Sequence, residues 1–454
     1  MEAIRKYLKS MGYSLINPEF YNMIYSWLGW YSGKVASFHQ YSQFNGKKAV
    51  KRNRYSLGMS KKVCEDWADL LLNEKTAIRV KDREADAFLS SVLEKNNFRV
   101  RSNRLVEITY AMGTGAFVEY YDNTGVAIDY IRADMIYPLS WENGEITECA
   151  FASEKVIGGK RCVYLNMHVM ENGCYKIINR LFVKKKNGGL EEAELPEGIA
   201  SEFYTGSDKP MFQIITPNIV NNFDPDNPMG ISIFANSLDV LQGIDLVYDS
   251  YQNEFRLGKK RIIVPLTMAK IEMEQQGEIL PVFDDNDTEF YAMSGADPDS
   301  FSISEINMDI RADAHETGLQ RSIDLLSDLC GFGSGKYTYT TGRVKTATQI
   351  VSEQSDLFRN LKKHELVAER AIRDLVRAIL YLSGENPDAE VIVNFDDSII
   401  ENSETTAQRA LLEVQNNIID AAEYLCRVYK MPRKAAEEKI KSMNLEVHTP
   451  ATAV

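Results

Sequence analysis

The chain has 454 residues, of which 44% are hydrophobic and 26% charged, and this length is sufficient for roughly two to four globular domains. No apolar run is long enough to cross a bilayer, and the charges spread through MEAIRKYLKSMGYS are not those of a secretory signal, so we expect no contact with a membrane. The net charge of −13 argues against coating nucleic acid by bulk electrostatic attraction, although it is compatible with local contacts to DNA.

The six cysteines and five histidines are dispersed and form no C-x-x-C or H-E-x-x-H pattern. We therefore expect free thiols in a reducing compartment, and no metal or other cofactor. Two acidic stretches, FDPDN (223–227) and DDNDTE (284–289), lack the spacing of a calcium-binding loop. We interpret both as solvated turns; a divalent ion or a catalytic carboxylate pair remains the alternative interpretation.

Residues 1–125 are predicted to be mainly helical, because apolar residues recur every three or four positions in 61–74 and 85–98. From about residue 115 to 220, apolar and polar residues alternate instead. Asn-Thr-Gly, Glu-Asn-Gly and Asn-Gly-Gly turns punctuate this region. The pattern predicts a meander of β-hairpins, which a Pro-rich stretch, 216–230, closes.

A helix with regular spacing is predicted over residues 230–258. Its apolar stripe advances by three or four residues at a time and comprises Phe234, Leu238, Leu241, Ile244, Tyr248, Tyr251 and Phe255. The opposite face is polar and mostly acidic, and comprises Asp239, Gln242, Asp245, Asp249, Asn253 and Arg256. We expect the stripe to serve packing.

Residues 261–308 are predicted to form a compact β-rich insert, with short strands in RIIVP, EILPVFDD, TEFYAM and FSISEI. The chain direction then reverses into a second helix, 309–329. Two antiparallel helices would therefore carry the insert at their tip.

The longest helix is predicted over residues 346–383, with a T-x-x-Q capping box in TATQ (346–349) and Gly384 as its end. At 1.5 Å per residue it would be ~57 Å long. A single late strand in 389–400 must pair with an earlier sheet. Residues 403–445 are predicted to be helical again.

Between the second and third of these helices lies LCGFGSGKYTYTTGRVKTATQ (329–349), which first suggests a phosphate-binding loop. A Walker A motif would need glycine at the position of Cys330 and a serine or threonine at that of Tyr337. A helix precedes the loop where that motif needs a strand, and Lys336 occupies the position of the last glycine of G-x-G-x-x-G. We therefore interpret the glycines as giving the loop freedom to move.

Four basic clusters occur, and surface solubility is the ordinary explanation for each of them. The clusters are the basic residues of 47–54, those of 184–186, those of 256–261, and Lys336 with Arg343 and Lys345. The last two lie at a helix end and in a glycine-rich loop of one antiparallel unit. That placement suits transient contacts to DNA phosphates.

Two stretches, 227–265 and 342–365, resemble the portal proteins of tailed phages that infect Gram-positive bacteria. The stretches read NPMGISIFANSLDVLQGIDLVYDSYQNEFRLGKKRIIVP and GRVKTATQIVSEQSDLFRNLKKHE. The order of elements adds to the resemblance, which covers roughly residues 15–445. It implies an α+β portal fold, no enzymatic activity, and a ring of usually twelve subunits at one vertex of the capsid, assembled in the host cytoplasm.

The resemblance also implies a division of the chain. The parts are a wing of helices and β meander (1–229), two stem helices (230–258 and 309–329), a β-rich clip (259–308), a tunnel loop (330–345), a long wing helix with a returning wing strand (346–402) and a helical crown (403–454). The acidic face of the stem would then meet water or DNA. The residues implied at the DNA channel are Lys336, Tyr337, Tyr339, Arg343 and Lys345 of the tunnel loop, and Arg256, Lys259, Lys260 and Arg261 at the stem base and clip.

The partners that the resemblance implies are other copies of the chain, double-stranded DNA in the channel, the terminase large subunit, a head-completion or adaptor protein, the major capsid protein and a scaffolding protein. Such a ring would serve DNA packaging, retention and ejection. Two alternatives come from other classes: a nucleotide-dependent hydrolase with a β insert, and a scaffold that binds proteins but never DNA.

Overall fold

The computed structural model describes residues 2–44, 48–73, 75–122, 125–157, 159–185, 189–257, 261–265, 271–273, 279–281, 290–293, 304–338, 347–395, 411, 413–414, 419–429 and 431–447. Its combination of helices with mainly antiparallel sheets agrees with the predicted α+β class. The helices are α1 (Glu2–Ser10), α2 (Pro18–Tyr31), α3 (Ala36–His39), α4 (Met59–Leu71), α5 (Arg83–Lys95), α6 (Phe98–Met112), α7 (Leu238–Leu257), α8 (Ala312–Leu329), α9 (Ala347–Ser383), α10 (Ala421–Tyr429) and α11 (Arg433–Val447).

The first twelve strands lie before α7. They are β1 (Gln40–Phe44), β2 (Ala49–Asn53), β3 (Ala77–Val80), β4 (Gly115–Asp122), β5 (Gly125–Arg132), β6 (Ile136–Glu142), β7 (Glu145–Ile157), β8 (Lys160–Glu171), β9 (Cys174–Lys184), β10 (Leu190–Ala193), β11 (Glu202–Tyr204) and β12 (Phe212–Ile215). The later strands are β13 (Arg261–Pro265), β14 (Ile271–Met273), β15 (Ile279–Pro281), β16 (Phe290–Met293), β17 (Ser304–Ile306) and β18 (Val391–Asn394).

The N-terminal helices α2, α4 and α6 pack on one another and bury large aromatic side chains, including those of Trp27, Trp67 and Tyr110. The helices predicted in 61–74 and 85–98 are confirmed as α4 and α5, each of which begins two residues earlier. Asp82 fixes the start of α5, because its side chain accepts hydrogen bonds from two backbone N–H groups of the first turn.

The same region contains strands that the prediction of a mainly helical segment missed. β1 and β2 form an antiparallel hairpin, and β3 pairs with the late strand β18. The residues of β1 and β2 are mostly exposed and polar. The period-2 alternation of apolar residues that signals a half-buried strand is therefore absent from them.

The predicted β meander is confirmed. Strands β6 to β10 follow one another as antiparallel neighbours in one sheet, and β11 adds to β9. Two of the connecting turns are Asn-Gly pairs, Asn143-Gly144 and Asn172-Gly173, in which both residues have positive φ. This is the backbone of a type I′ turn, whose twist matches that of the flanking strands.

A second antiparallel sheet has the order β12-β4-β5, and the long helix α9 packs on it. The N–H groups of Gly384 and Glu385 donate to carbonyls of the last turn of α9, and Gly384 has φ +78°. Gly384 therefore ends the helix as predicted. Thr346 of the predicted capping box lies outside the described residues. β18 supplies the predicted late strand, but it pairs with β3 and not with the meander.

The helix predicted from residue 230 begins only at Leu238, after a 3-10 turn at Ala235–Ser237. The preceding segment is held against the end of α6, where the carbonyl of Tyr110 accepts from the N–H of Ile233 and the hydroxyl of Ser232. At this point Gly230 and Gly113 approach closely: a Cβ on Gly230 would lie 2.4 Å from the carbonyl oxygen of Gly113. Packing therefore keeps this segment out of the helix.

Helices α7 and α8 pack as an antiparallel pair, and strands β13 to β17 lie between them in sequence. β13 is central in the order β16-β13-β17, parallel to β16 and antiparallel to β17, while β14 and β15 form a hairpin. The predicted strands of this insert are confirmed, β14 was not predicted, and α8 begins three residues later than predicted. Of the described helices, none combines the length and the apolar character that crossing a membrane requires.

Candidate nucleic-acid interface

The loop that follows α8 begins with a fixed backbone conformation. The N–H groups of Gly331 and Phe332 donate to the carbonyls of Asp328 and Ser327, and Gly331 has φ +88°. This is the Schellman arrangement, which satisfies the last carbonyls of a helix and requires a left-handed residue that glycine supplies without strain. The backbone N–H groups at the loop start therefore bind the helix end and are not available to a phosphate.

Two side chains from distant parts of the chain hold the next carbonyls. The indole N–H of Trp67 in α4 donates to the carbonyl of Cys330 over 2.9 Å, and the side-chain amide of Asn360 in α9 donates to the carbonyl of Gly331 over 2.9 Å. A Cβ on Gly331 would lie 3.3 Å from both side chains. The loop start is thus joined to α4 and α9 by hydrogen bonds and by close packing.

Two aromatic residues of the loop turn into the protein. The ring of Phe332 stacks on Trp67 with centroids 4.7 Å apart, and Tyr337 contacts Phe332 edge-on at 5.8 Å. Tyr337 is only 7% exposed, and its carbonyl accepts a hydrogen bond from the side-chain amide of Gln320 over 2.7 Å. Tyr337, which the sequence places among channel residues, is therefore a packing residue in the subunit.

Lys336 is exposed, and its ammonium group lies 5.8 Å from the ring centroid of Phe332. Gly333 and Gly335, on either side of Ser334, also have positive φ, and the carbonyl of Gly333 accepts from the hydroxyl of Ser327. The contacts at 330–333 oppose the expectation that these glycines give freedom to move, because they show left-handed turns in an anchored backbone there. The predicted channel residues Tyr339, Arg343 and Lys345 lie outside the described residues.

The predicted basic cluster at the other end of the helix pair is described only in part. Arg256 is exposed near the end of α7, and Arg261 lies in β13. Lys259 and Lys260 lie outside the described residues. Two residues before Arg256 in the sequence, the carboxylate of Glu254 pairs with the guanidinium of Arg311 and lies 3.4 Å from the imidazole of His315. Arg311 and His315 lower the pKa of Glu254, whose hydrogen bond to Arg311 is the largest cause.

The acidic face of α7 is partly covered by the subunit itself. Asp245 and Asp249 are 4% and 6% exposed, because the segment 39–44 and 48–57, here called the strap, lies against them. Asp245 accepts from the N–H of Leu57 over 2.8 Å and lies 3.0 Å from Nε2 of His39. Asp249 accepts from the N–H of Tyr55 over 3.1 Å. The expectation that this face meets water or DNA is therefore wrong for these two aspartates.

Sequence reasoning missed the strap, because it is distant in sequence from the aspartates that it contacts. Leu57 is 188 residues from Asp245, and Tyr55 is 194 residues from Asp249. The available signal is weak: two aspartates four residues apart lie on one helix face, and a basic, aromatic segment begins at His39. Arg54 of the strap is itself held between the rings of Phe38 and Tyr41, at 4.6 and 4.7 Å.

The acidic stretch 223–227 forms a hydrogen-bonded turn. The side chain of Asn221 accepts from the N–H groups of Phe223 and Asp224, and the amide of Asn227 donates to Asp224. Within the described parts of the chain, no group of three His, Cys, Asp or Glu side chains is arranged to hold a metal ion. The second acidic stretch, 284–289, lies outside them.

A family model described as "Phage portal protein, SPP1 Gp6-like" matches residues 16–446. The chain belongs to this portal family. The match covers nearly the whole chain and includes both stretches on which the resemblance was based. It also includes the helix pair α7 and α8, the strands between them and the loop after α8. No protein with a curated description matches the chain.

Membership of the portal family gives the chain a structural role in the phage capsid. The family is a structural one, and the backbone N–H groups at the start of the loop after α8 are occupied by the end of that helix. Both observations oppose the alternative of a nucleotide-dependent hydrolase.

Proposed function

We propose that twelve copies of this chain form a ring-shaped channel at one vertex of a phage capsid, through which double-stranded DNA is packaged, retained and ejected. The observation that carries the proposal is the family match over residues 16–446. An antiparallel helix pair with a β insert at one end and an exposed lysine in a loop at the other supports it.

In this proposal α7 and α8 line the channel as the stem, and the insert 259–308 forms the clip. The loop 330–345 faces the DNA. Residues 1–229 together with 346–402 form the wing, and 403–454 forms the crown. The clip docks the terminase large subunit during packaging and head-completion proteins afterwards, while the wing contacts the major capsid and scaffolding proteins.

The mass of the purified chain, measured by native mass spectrometry, tests the ring directly. We expect a closed assembly close to twelve times 51.5 kDa. A chain that remains monomeric at high concentration would contradict the proposal.

DNA contact by the loop after α8 is tested by reversing its charge. Lys336→Glu, Arg343→Glu and Lys345→Glu together should leave ring assembly intact and reduce the DNA content of heads, because a cation near a DNA phosphate is replaced by an anion at each position. The matched control reverses Lys9, Lys160 and Arg161, three exposed cations outside the loop, and changes the net charge equally. Normal DNA-filled heads from the loop variant would refute the contact.

A further inference from the structure

The start of the loop after α8 makes more contacts with the rest of the protein than are needed to end the helix. A Schellman motif alone satisfies the last carbonyls of α8. Beyond it, Trp67 and Asn360 each donate a hydrogen bond to a loop carbonyl, and the Phe332 ring stacks on the Trp67 indole.

The two donors come from different helices that are themselves firmly placed. Trp67 is completely buried and also contacts the imidazole of His364 at 4.7 Å between ring centroids. His364 lies on α9, as Asn360 does, and its Nδ1 accepts from the N–H of Asn218 over 3.0 Å. The loop start is therefore fixed at a junction of α4, α8 and α9.

Lys336 lies immediately beyond this junction. Phe332 and Tyr337, on either side of it, are 2% and 7% exposed, whereas Lys336 is exposed. The buried rings of Phe332 and Tyr337 thus fix both ends of the stretch 332–337, which exposes Lys336. Gln320 of α8 adds a further hydrogen bond at the second ring, to the carbonyl of Tyr337.

We propose that Trp67 and Asn360 are positioning residues for the DNA-facing loop. They hold its start against α4 and α9, so that Lys336 has a defined place relative to the wing. This inference rests on the proposed function for the role of the loop, but the anchoring itself can be tested without DNA.

The decisive variants remove one donor each, and the loss of volume in Trp67→Phe is matched by the control. Trp67→Phe retains a ring that can stack on Phe332 and loses the indole N–H, and Asn360→Leu loses the amide. Trp27→Phe is the matched control, because Trp27 is equally buried but packs against Phe20 and Phe223, away from the loop.

The first measurement is amide hydrogen exchange of the assembled protein. The N–H groups of Cys330, Gly331 and Phe332 are hydrogen-bonded in the anchored state and exchange when the loop start opens. A buried carbonyl that loses its donor makes opening roughly 5- to 150-fold more frequent, which corresponds to about 1–3 kcal/mol at 1.4 kcal/mol per factor of ten. We expect faster exchange of these amides in both loop variants, with peptides from the first turns of α4 unchanged.

Equal exchange of these amides in Trp67→Phe and Trp27→Phe would overturn the anchoring. The second measurement is the DNA content of heads assembled with each variant, which we expect to fall for the two loop variants and not for Trp27→Phe. Faster exchange with normally filled heads would overturn the functional part of the inference. Failure of the proposed function itself is recognised separately, because the wild-type chain would then form no ring.

Discussion

Replacing Asp245 with alanine should release the strap from α7. The carboxylate accepts from the N–H of Leu57 and lies at hydrogen-bond distance from Nε2 of His39, and the side chains of Asp245 and His39 are 6% and 8% exposed. Two donors would lose their acceptor. Each unsatisfied group costs about 1–3 kcal/mol, so the two together cost about 2–6 kcal/mol. We take about 3 kcal/mol as the cost of Asp245→Ala.

This cost converts into a measurable change in proteolysis. When opening and closing are fast, cleavage follows the population of the open state, and 3 kcal/mol raises that population by about 100-fold. The bond after Arg54 lies inside the strap, and the N–H of Arg54 donates to the carbonyl of His39. Limited trypsin digestion with mass identification should therefore show cleavage after Arg54 about 100-fold faster in Asp245→Ala.

Asp239→Ala is the matched control, because Asp239 lies on the same helix and is exposed. Asp245→Asn keeps one acceptor oxygen for Leu57 but places an amide beside His39, so an intermediate rate is expected. The reasoning would be refuted if Arg54 were cleaved at the same rate in Asp245→Ala and Asp239→Ala.

Two further predictions concern the wing. Gly230→Ala would place a Cβ 2.4 Å from the carbonyl oxygen of Gly113. We expect the folded state to lose about 1–3 kcal/mol of stability, seen as a lower unfolding temperature. Gly243→Ala is the control, because no atom lies within 4 Å of its new Cβ, and it should cause no such loss. Burial raises the pKa of Glu119 from 4.5 to about 8, against a smaller opposing effect of Gln213. The folded chain therefore keeps a proton on Glu119 that the unfolded chain releases. The contribution of this group to the free energy of unfolding is fully present below about pH 4.5 and is lost as the pH rises to about 8, by up to about 1.4 kcal/mol per pH unit. In Glu119→Gln this loss should disappear, so the free energies of unfolding at pH 5.5 and pH 7.5 should differ less than in wild type. An unchanged difference would contradict the raised pKa of the Glu119 carboxyl.

The parts of the fold that the sequence predicted well are those specified locally. The long helix α9 follows from its own periodicity, and Gly384 ends it because a helix end needs a left-handed residue there. The hairpins of the meander follow from alternation and from Asn-Gly turns. In each of these elements, the residues that decide the structure are neighbours in the chain.

The parts that were wrong depend on partners far away in sequence. A helical wheel shows that Asp245 and Asp249 share a face of α7, but not that the strap covers it. The segment before Leu238 has helical spacing and is nevertheless held in another conformation by the end of α6. Likewise, the spacing of glycines in the loop after α8 suggested motion, whereas Trp67 and Asn360, both distant in sequence, help to anchor the start of that loop.

Burial of Asp245 and Asp249 reduces the number of carboxylates that α7 exposes to solvent or to a DNA duplex. Four acidic residues occur along the helix, yet two of them are covered by the strap, and Glu254 has its partner in Arg311. Asp239 is the remaining exposed acid among the described side chains of α7. If this helix lines a channel, the wall it offers exposes fewer carboxylates than its composition indicates. Repulsion of DNA by exposed carboxylates would then come from few points along this helix.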